Sequence, residues 1–210
     1  QVAGELGGFV VPPEEVQAAD DAAPRRLNPG QRMLVRELAG SGRLLQLAIA
    51  PAAAGKTVAI GVLAEAWMRT GHDVIGLAPS AAAASELAAA TGRTTDTIAK
   101  LTHGLAHPNS MPAWATQVGP GTLVVVDEAG MVDTISLHRV VEWAVGRGAV
   151  VRLVGDDQQL AAIGSGGILR DIATTHGAVH LSQLMRFTDP AEANASLALR
   201  DGRTEALGFY

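Results

Sequence analysis

The residue types with the clearest chemistry lie together between positions 50 and 57. This octapeptide reads Ala-Pro-Ala-Ala-Ala-Gly-Lys-Thr, and its Gly-Lys-Thr ending is typical of a phosphate-binding loop. In such a loop, backbone N–H groups surround the phosphates, the lysine contacts the terminal phosphate oxygens and the threonine hydroxyl binds Mg²⁺. We therefore predict that Lys56 and Thr57 bind a nucleoside triphosphate with Mg²⁺. The other predicted nucleotide contacts are Pro51, Ala52, Ala53, Ala54, Gly55 and Val58.

The elements around this loop have the order that such a site requires. Residues 44–50 form an apolar run typical of a buried strand, and residues 55–70 place apolar side chains on one helical face. A strand, a loop and a helix therefore follow one another. The positive end of the helix dipole adds to the attraction for phosphate. The alternative to a phosphate-binding loop is an ordinary helix start that carries Gly-Lys-Thr by chance.

Composition limits the class of protein. The 210 residues are 48% hydrophobic and include no cysteine, which allows one α/β core and excludes disulfides and thiolate metal sites. No apolar run approaches the length of a membrane span, so we expect a soluble protein. The absence of cysteine fits a reducing compartment, and a cytoplasmic location is expected. The net charge of −5 argues against a strongly basic nucleic-acid binder. It is compatible with a protein that contacts a few phosphates in a local groove.

Strands and helices alternate through most of the chain, which predicts an α/β fold. Strands and helices at this spacing form a parallel sheet with helices on both faces, and ligands bind at the carboxyl ends of the strands. Residues 1–26 mix Gly, Pro and acidic residues and are predicted to be a linker or tail. His103 and His107 fall in a predicted loop, where solvated side chains are favoured over a metal site. The further predicted strands are 73–78, 122–126, 149–154 and 179–181, and the further helices are 29–40, 80–91, 96–101 and 135–145.

Two polar motifs follow predicted strands directly. Asp127 and Glu128 come after the strand at 122–126. There, an aspartate can hold Mg²⁺ together with Thr57, and an adjacent glutamate can deprotonate the attacking water. The next strand leads to Gln159, which can sense the terminal phosphate. Taken alone, Asp127 and Glu128 could instead form a helix N-cap, and the residues around Gln159 could instead form a polar turn after a strand.

In this order, the motifs resemble the first motor domain of superfamily 1 helicases of the RecD-like branch. Residues 55–57 match the family's motif I, 127–129 its motif II and 155–160 its motif III. The resemblance runs from about Leu27 to the C-terminus. It implies a RecA-like P-loop NTPase fold, ATP and Mg²⁺ as cofactors, and single-stranded DNA as a partner. The amino-acid sequences of segments 76–84, 186–190 and 199–202 are most similar to the helicase part of TrwC/TraI-type conjugative relaxases. A RecD-like DNA-repair helicase is the alternative.

The resemblance also assigns roles to single residues. Gln31 follows the pattern of the family's Q-motif, which implies a hydrogen bond to adenine. Pro79 and Ser80 resemble motif Ia and Thr97 resembles motif Ib, which implies contacts with single-stranded DNA. Arg186 resembles the arginine of motif IV, which implies stabilisation of transition-state charge at the terminal phosphate.

The loop departs from the family pattern at two positions, where Ala50 and Ala53 stand in place of glycines. Glycine is favoured there because the backbone approaches the phosphate closely and can need a positive φ. Alanine in a left-handed conformation costs about 1 kcal/mol. Weakened nucleotide affinity is the consequence to test, and Ala53 is expected to matter more than Ala50.

The resemblance divides the chain into a tail at 1–26, a motor domain at 27–188 and the start of a connection at 189–210. A second motor domain of the same parent chain would follow, so we expect the isolated chain to bind ATP weakly, hydrolyse it slowly and leave duplex DNA intact. The start at Gln1 suggests a piece of a longer polypeptide. Two other classes stay open, namely a degenerate interaction module without turnover and a non-helicase P-loop ATPase with a protein partner.

Overall fold

A parallel sheet forms the centre of the fold. The structure, a computed structural model, describes residues 4–51, 55–156 and 168–181. The strands within these residues are β1 Leu45–Ile49, β2 Val74–Ala78, β3 Thr95–Thr97, β4 Leu123–Val126, β5 Val150–Gly155 and β6 Val179–His180. These six strands pair in the order β3-β2-β4-β5-β1-β6, and every pairing is parallel. The predicted α/β fold with a parallel sheet is confirmed.

Helices cover both faces of this sheet, as predicted. One apolar core lies between the sheet and helices α1 to α4, and a second lies between the sheet and helices α5 to α7. Burial on both faces explains why the central strands are near-continuous apolar runs. No helix in the described ranges is long and apolar enough to cross a membrane. The helices are α1 Pro13–Ala22, α2 Pro29–Gly40, α3 Lys56–Arg69, α4 Ala81–Thr91, α5 Ile98–Ala106, α6 Thr134–Val145 and α7 Ile168–His176.

The strand order decides which loops become neighbours. β5 lies between β1 and β4. Because all strands are parallel, their carboxyl ends share one edge of the sheet. The loop after β1 and the acidic residues after β4 are therefore separated only by the end of β5. The turn after β2 and the start of α5, which follows β3 directly, lie on the other side of β4 along the same edge.

The region between β2 and β4 differs from the sequence prediction. β3 is a short polar strand that pairs with β2 at the edge of the sheet, so no apolar pattern marked it. The helix predicted at 96–101 begins at Ile98 and continues to Ala106. The prediction that His103 and His107 lie in a loop was therefore wrong for His103, which is in α5. The two imidazole rings stack with their centroids 4.4 Å apart. The helix α7 was not predicted.

Residues 13–22 form a helix that their composition did not indicate. Pro13 at the first helical position, with Glu14 and Glu15 in the first turn, favours a helix start. Val16 and Ala19 are buried in the same core as α3, and α1 packs against that helix. The proline and the two acidic residues are the signal that could have found this helix. The domain boundary at residue 26 stays a prediction.

Asp20 joins α1 to α2. This side chain is 1% exposed and accepts hydrogen bonds from the Leu27 N–H at 2.7 Å and from Arg32 Nε at 2.8 Å. Burial raises the pKa of Asp20, but the hydrogen bonds from Leu27 and Arg32 outweigh it and hold the pKa below its ordinary value. The contribution of Asp20 to stability is therefore present at neutral pH and is lost as the pH falls through that lowered pKa.

A buried arginine fastens the end of α2 to the sheet. Arg152 in β5 is fully buried. Its Nε donates to the carbonyl of Leu38 at 2.7 Å, and its Nη1 donates to the carbonyl of Arg43 at 3.0 Å. Burial lowers the pKa of Arg152 to about 9, so the side chain is charged at neutral pH. A positive charge at the C-terminal end of a helix also interacts favourably with the helix dipole.

Replacing Arg152 with methionine should lower the free energy of unfolding by about 2–4 kcal/mol. Methionine fills much of the same volume but leaves the carbonyls of Leu38 and Arg43 without their donor. Urea unfolding followed by circular dichroism measures the change. Arg170→Met, at an exposed arginine of α7, is the control and should stay within about 0.5 kcal/mol of wild type. Equal stability of both variants would show that Arg152 does not fasten α2.

Candidate functional site

The end of β1 and the start of α3 place the phosphate loop. Ala52, Ala53 and Ala54 lie outside the described residues. Gly55 is the N-cap of α3 and has φ 76°, which is in the left-handed region that favours glycine. Lys56 and Thr57 therefore occupy the first turn of α3. There, the backbone N–H groups lack helical partners and the helix dipole is positive.

Ala50 does not carry the backbone cost that its position suggested. Its N–H donates to the carbonyl of Gly155 at 2.8 Å, which continues the pairing of β1 with β5. Among the described residues, positive φ at a non-glycine is found at Glu128 and not at Ala50. The methyl group of Ala50 is buried in the core. The left-handed backbone cost is therefore absent at Ala50, and the expected cost at Ala53 stays a prediction.

Lys56 connects the loop to the acidic residues that follow β4. Its Nζ lies 2.8 Å from Asp127 Oδ1 and also forms an ion pair with Glu128 Oε1. We call Lys56, Asp127 and Glu128 the lysine clamp. The side chains of the three residues are 17%, 12% and 27% exposed, so solvent screens the ion pairs only in part. The structure thus brings together three of the predicted catalytic residues.

The lysine clamp also sets the charge of Lys56. Burial lowers the pKa of Lys56, but attraction to Asp127 and hydrogen bonds to Asp127 and Glu128 outweigh it and raise the pKa above the ordinary value of 10.5. A lysine with a raised folded-state pKa stabilises the fold fully below its unfolded pKa. The contribution is lost only as the pH rises through the raised value. The ammonium group of Lys56 is therefore positively charged at neutral pH.

Glu128 has a backbone conformation that is costly for a residue with a side chain. Its φ is 52°, the one positive φ at a non-glycine among the described residues, and this costs about 1 kcal/mol. Its N–H donates to Asp127 Oδ1 at 2.8 Å. Glycine at this position would remove the strain but also the carboxylate. A strained backbone that carries a carboxylate at the end of a strand is a reason to propose a functional role for Glu128.

Two glycines allow the turn after Glu128 to approach the end of β5. A Cβ on Gly155 would lie 3.1 Å from the Gly130 nitrogen, and a Cβ on Gly130 would lie 3.0 Å from the Asp156 carbonyl oxygen. Both distances are shorter than ordinary contacts. This close approach was not predicted, because it depends on the position of β5 between β1 and β4.

The two other predicted catalytic residues, Gln159 and Arg186, lie outside the described residues.

Gln31 is held against the phosphate loop. It is 2% exposed, and its Oε1 accepts a hydrogen bond from the Asn28 N–H at 2.9 Å. Its Nε2 donates to the carbonyl of Gly55 at 2.9 Å. Gln31 therefore links the capping box of α2 to the left-handed glycine that begins α3. The predicted contact between Gln31 and adenine stays a prediction.

The predicted DNA contacts lie on the part of the edge formed by β2 and β3. Pro79 and Ser80 follow β2, and Thr97 ends β3. Both hydroxyl groups cap helices, since Ser80 Oγ accepts a hydrogen bond from the Ala83 N–H and Thr97 Oγ1 accepts one from the Lys100 N–H, each at 3.2 Å. These caps fix the two side chains at helix starts. Binding of DNA there stays a prediction.

A cavity of about 470 Å³ opens beside the first turn of α3. This volume is within the range of small-molecule sites. The last residues of α1 and α4 form its other walls. Gly61 allows α3 to approach α4 closely, since a Cβ on Gly61 would lie 2.6 Å from the Ala90 carbonyl oxygen. Two of its lining residues, Thr57 and Val58, are among the predicted nucleotide contacts. Ala23, Arg25 and Thr91 also line the cavity but were not predicted, because they come from distant segments and belong to no motif.

Comparison with known proteins places the chain in a family. The AAA domain family matches residues 26–210. The conjugal transfer protein TraA of Rhizobium radiobacter is 32% identical over 193 residues, which are 88% of this chain and 16% of that protein. TraA of Agrobacterium fabrum is 30% identical over 203 residues, 93% of this chain and 17% of that protein. The ATP-dependent RecD2 DNA helicase of Deinococcus radiodurans is 32% identical over 188 residues, 85% of this chain and 25% of that protein.

These relatives confirm the resemblance to RecD-like helicases and conjugative relaxases. The chain spans 16–25% of the length of the curated relatives described above. Its parallel sheet, with the phosphate loop after β1 and the acidic pair after β4, is a RecA-like P-loop NTPase fold. Because the family match extends over most of the sequence, the chain belongs to the AAA domain family.

Proposed function

We propose that this chain is the ATP-binding half of an ATP-dependent DNA helicase, in the motor region of a conjugative relaxase. The observation that carries the proposal is the lysine clamp, in which the loop lysine meets the two carboxylates that follow β4. Phosphate oxygens offer Lys56 the same kind of charge-assisted hydrogen bond that the carboxylates offer. The triphosphate of ATP can therefore exchange with Asp127 and Glu128 as the partner of Lys56.

The surroundings of the clamp support binding of the whole nucleotide. The first turn of α3 presents free N–H groups to the phosphates. The cavity beside Thr57 and Val58 is where we place the base and the ribose. Gln31, whose Nε2 donates to the carbonyl of Gly55, holds the start of α3. The loop residues from Pro51 to Ala54 complete the proposed phosphate contacts.

Each catalytic role has a proposed residue. The oxygen donors of Thr57 and Asp127 suit Mg²⁺, which when bound supplies positive charge to the phosphates. Glu128 is the proposed general base that takes a proton from the attacking water. Its strained backbone conformation supports this role. Gln159 and Arg186 are the proposed sensor of the terminal phosphate and stabiliser of transition-state charge.

Single-stranded DNA is the proposed partner at the edge formed by β2 and β3, through Pro79, Ser80 and Thr97. A second motor domain of the same polypeptide is proposed as the other partner, since the relatives are four to six times longer than the matched region. The relatives include conjugal transfer proteins, and a cytoplasmic location suits such a role. A RecD-like repair helicase is the second candidate, because RecD2 matches at the same identity.

The proposal predicts that ATP changes the affinity of the chain for single-stranded DNA. Fluorescence anisotropy with a labelled oligothymidine, with and without a non-hydrolysable ATP analogue and Mg²⁺, measures this coupling. We expect the dissociation constant to change by at least about fivefold. The same titration with a blunt duplex is the control. Single-stranded DNA binding that is absent, or unaffected by the nucleotide, would instead favour a P-loop ATPase with a protein partner.

A further inference from the structure

A second cavity lies on the same edge of the sheet, beside the predicted DNA contacts. It has a volume of about 390 Å³ and lies between the first turns of α5 and α6. Pro79, which follows β2, forms part of its wall. The cavity shares no residue with the lysine clamp or with the cavity beside α3. Its other lining residues include Thr102, His103, Met131, Ser136 and Arg139.

The wall of this cavity has surfaces on which a nucleobase can stack. His103 is exposed, and its ring stacks on that of His107 at an interplanar angle of 26°. Met131 is 50% exposed, although it is a large apolar side chain. Flat rings and polarisable thioethers are favourable neighbours for aromatic groups. Because Met131 and His103 line the same cavity, together they offer an apolar wall and an aromatic wall to a flat ligand.

Polar groups surround the same cavity. The Thr102 hydroxyl donates to the carbonyls of Ile98 and Ala99, and the Ser136 hydroxyl bonds to Asp133. Both oxygens keep lone pairs that can accept a hydrogen bond from the edge of a base. Arg139 is exposed in α6 and is a cation that can contact a phosphate. Asp133, also in the wall, accepts a hydrogen bond from the Ser136 N–H at 2.9 Å and so caps α6. Stacking walls combined with one cation are typical of single-stranded nucleic-acid sites.

We propose that this cavity takes one unstacked base of single-stranded DNA. His103 and Met131 hold the base, and Arg139 contacts the adjoining phosphate. The position of Pro79 makes the cavity continuous with the predicted DNA-binding turn after β2. The inference rests on the proposed function, because it requires that this edge of the sheet binds single-stranded DNA.

The test compares oligonucleotides with and without bases. The complete chain is titrated into a labelled oligothymidine and into an abasic oligonucleotide of the same length, at several salt concentrations. We expect wild type to prefer the oligothymidine. The double variant His103→Ala, Met131→Ala should bind the oligothymidine about tenfold more weakly, with the abasic affinity and the salt dependence nearly unchanged.

Matched controls are available in the chain. His138→Ala removes a 71% exposed histidine of α6, and Met33→Ala removes a 51% exposed methionine of α2. Neither residue lines the cavity, so both variants should bind as wild type does. A thermal unfolding curve that matches these controls would show that the double variant is folded.

Three results would overturn the inference. If the double variant binds oligothymidine as wild type does, or loses affinity equally for both oligonucleotides, the cavity does not hold a base. DNA binding at the edge would stand in both cases. If wild type binds neither oligonucleotide, the inference fails together with the proposed function. A partner of another class, such as a protein segment, would then be the candidate for the cavity.

Discussion

Replacing Lys56 with alanine should weaken ATP binding by about 30- to 1000-fold. The variant removes the cation that we propose exchanges its carboxylate partners for phosphate oxygens. It also leaves Asp127 and Glu128 without their lysine, so two negative side chains would repel the incoming triphosphate. Loss of attraction and gain of repulsion act in the same direction, which is why the expected effect is large. Isothermal titration calorimetry with ATP and Mg²⁺ measures it.

The other lysine of the chain provides the control for this experiment. Lys100 is 60% exposed and also pairs with a carboxylate, with its Nζ 2.7 Å from Asp96 Oδ2. Lys100→Ala removes the same charge from the protein but lies outside the cavity beside α3. Its affinity for ATP should equal that of wild type. If Lys56→Ala binds ATP as tightly as Lys100→Ala, the loop at 50–57 is not the phosphate site.

Replacing Glu128 with glutamine should slow ATP hydrolysis by about 10²- to 10⁴-fold. Glutamine has the same side-chain length as glutamate, and at this position it has the same backbone strain from the positive φ. It cannot, however, accept a proton from water. ATP affinity should not fall, because the variant removes a negative charge near the phosphates. Single-turnover hydrolysis with the protein in excess over labelled ATP measures even slow chemistry.

Glu142→Gln is the matched control, since Glu142 is 74% exposed in α6. It should hydrolyse ATP at the wild-type rate. Unchanged hydrolysis in Glu128→Gln would exclude Glu128 as the general base and leave its strained backbone without a catalytic explanation. A wild-type chain that binds ATP without any turnover would favour the degenerate interaction module considered from the sequence.

Much of the fold could be predicted from the sequence because its signals are local. The strands β1, β2, β4 and β5 are apolar runs, and α2 begins with the Asn28-Pro29 signal and ends near glycine. The errors fall where local signals are weak. β3 is only three polar residues long, and it becomes a strand because β2 leaves an edge to pair with. α1 depends on burial of Val16 and Ala19 against α3 more than on its own composition.

The candidate site could be predicted in its chemistry but not in its contacts. Gly-Lys-Thr and Asp-Glu are recognisable because their residue types suit phosphate and Mg²⁺. Gln31 was identified by resemblance, yet its bonds to Asn28 and Gly55 appear only in the folded chain. The exposed Met131 carries no sequence signal, because exposure depends on which neighbouring elements cover it.

The sequence by itself determined the alternation of strands and helices and the residues that can contact phosphate, because each depends on a few consecutive side chains. The tertiary structure decided that Lys56 meets Glu128, 72 positions away, across the end of β5. It also decided the left-handed backbone of Glu128, the close approach of Gly130 to Gly155, and both cavities. The physical reason is that these features depend on strand order and helix packing, and no local pattern of side chains specifies either.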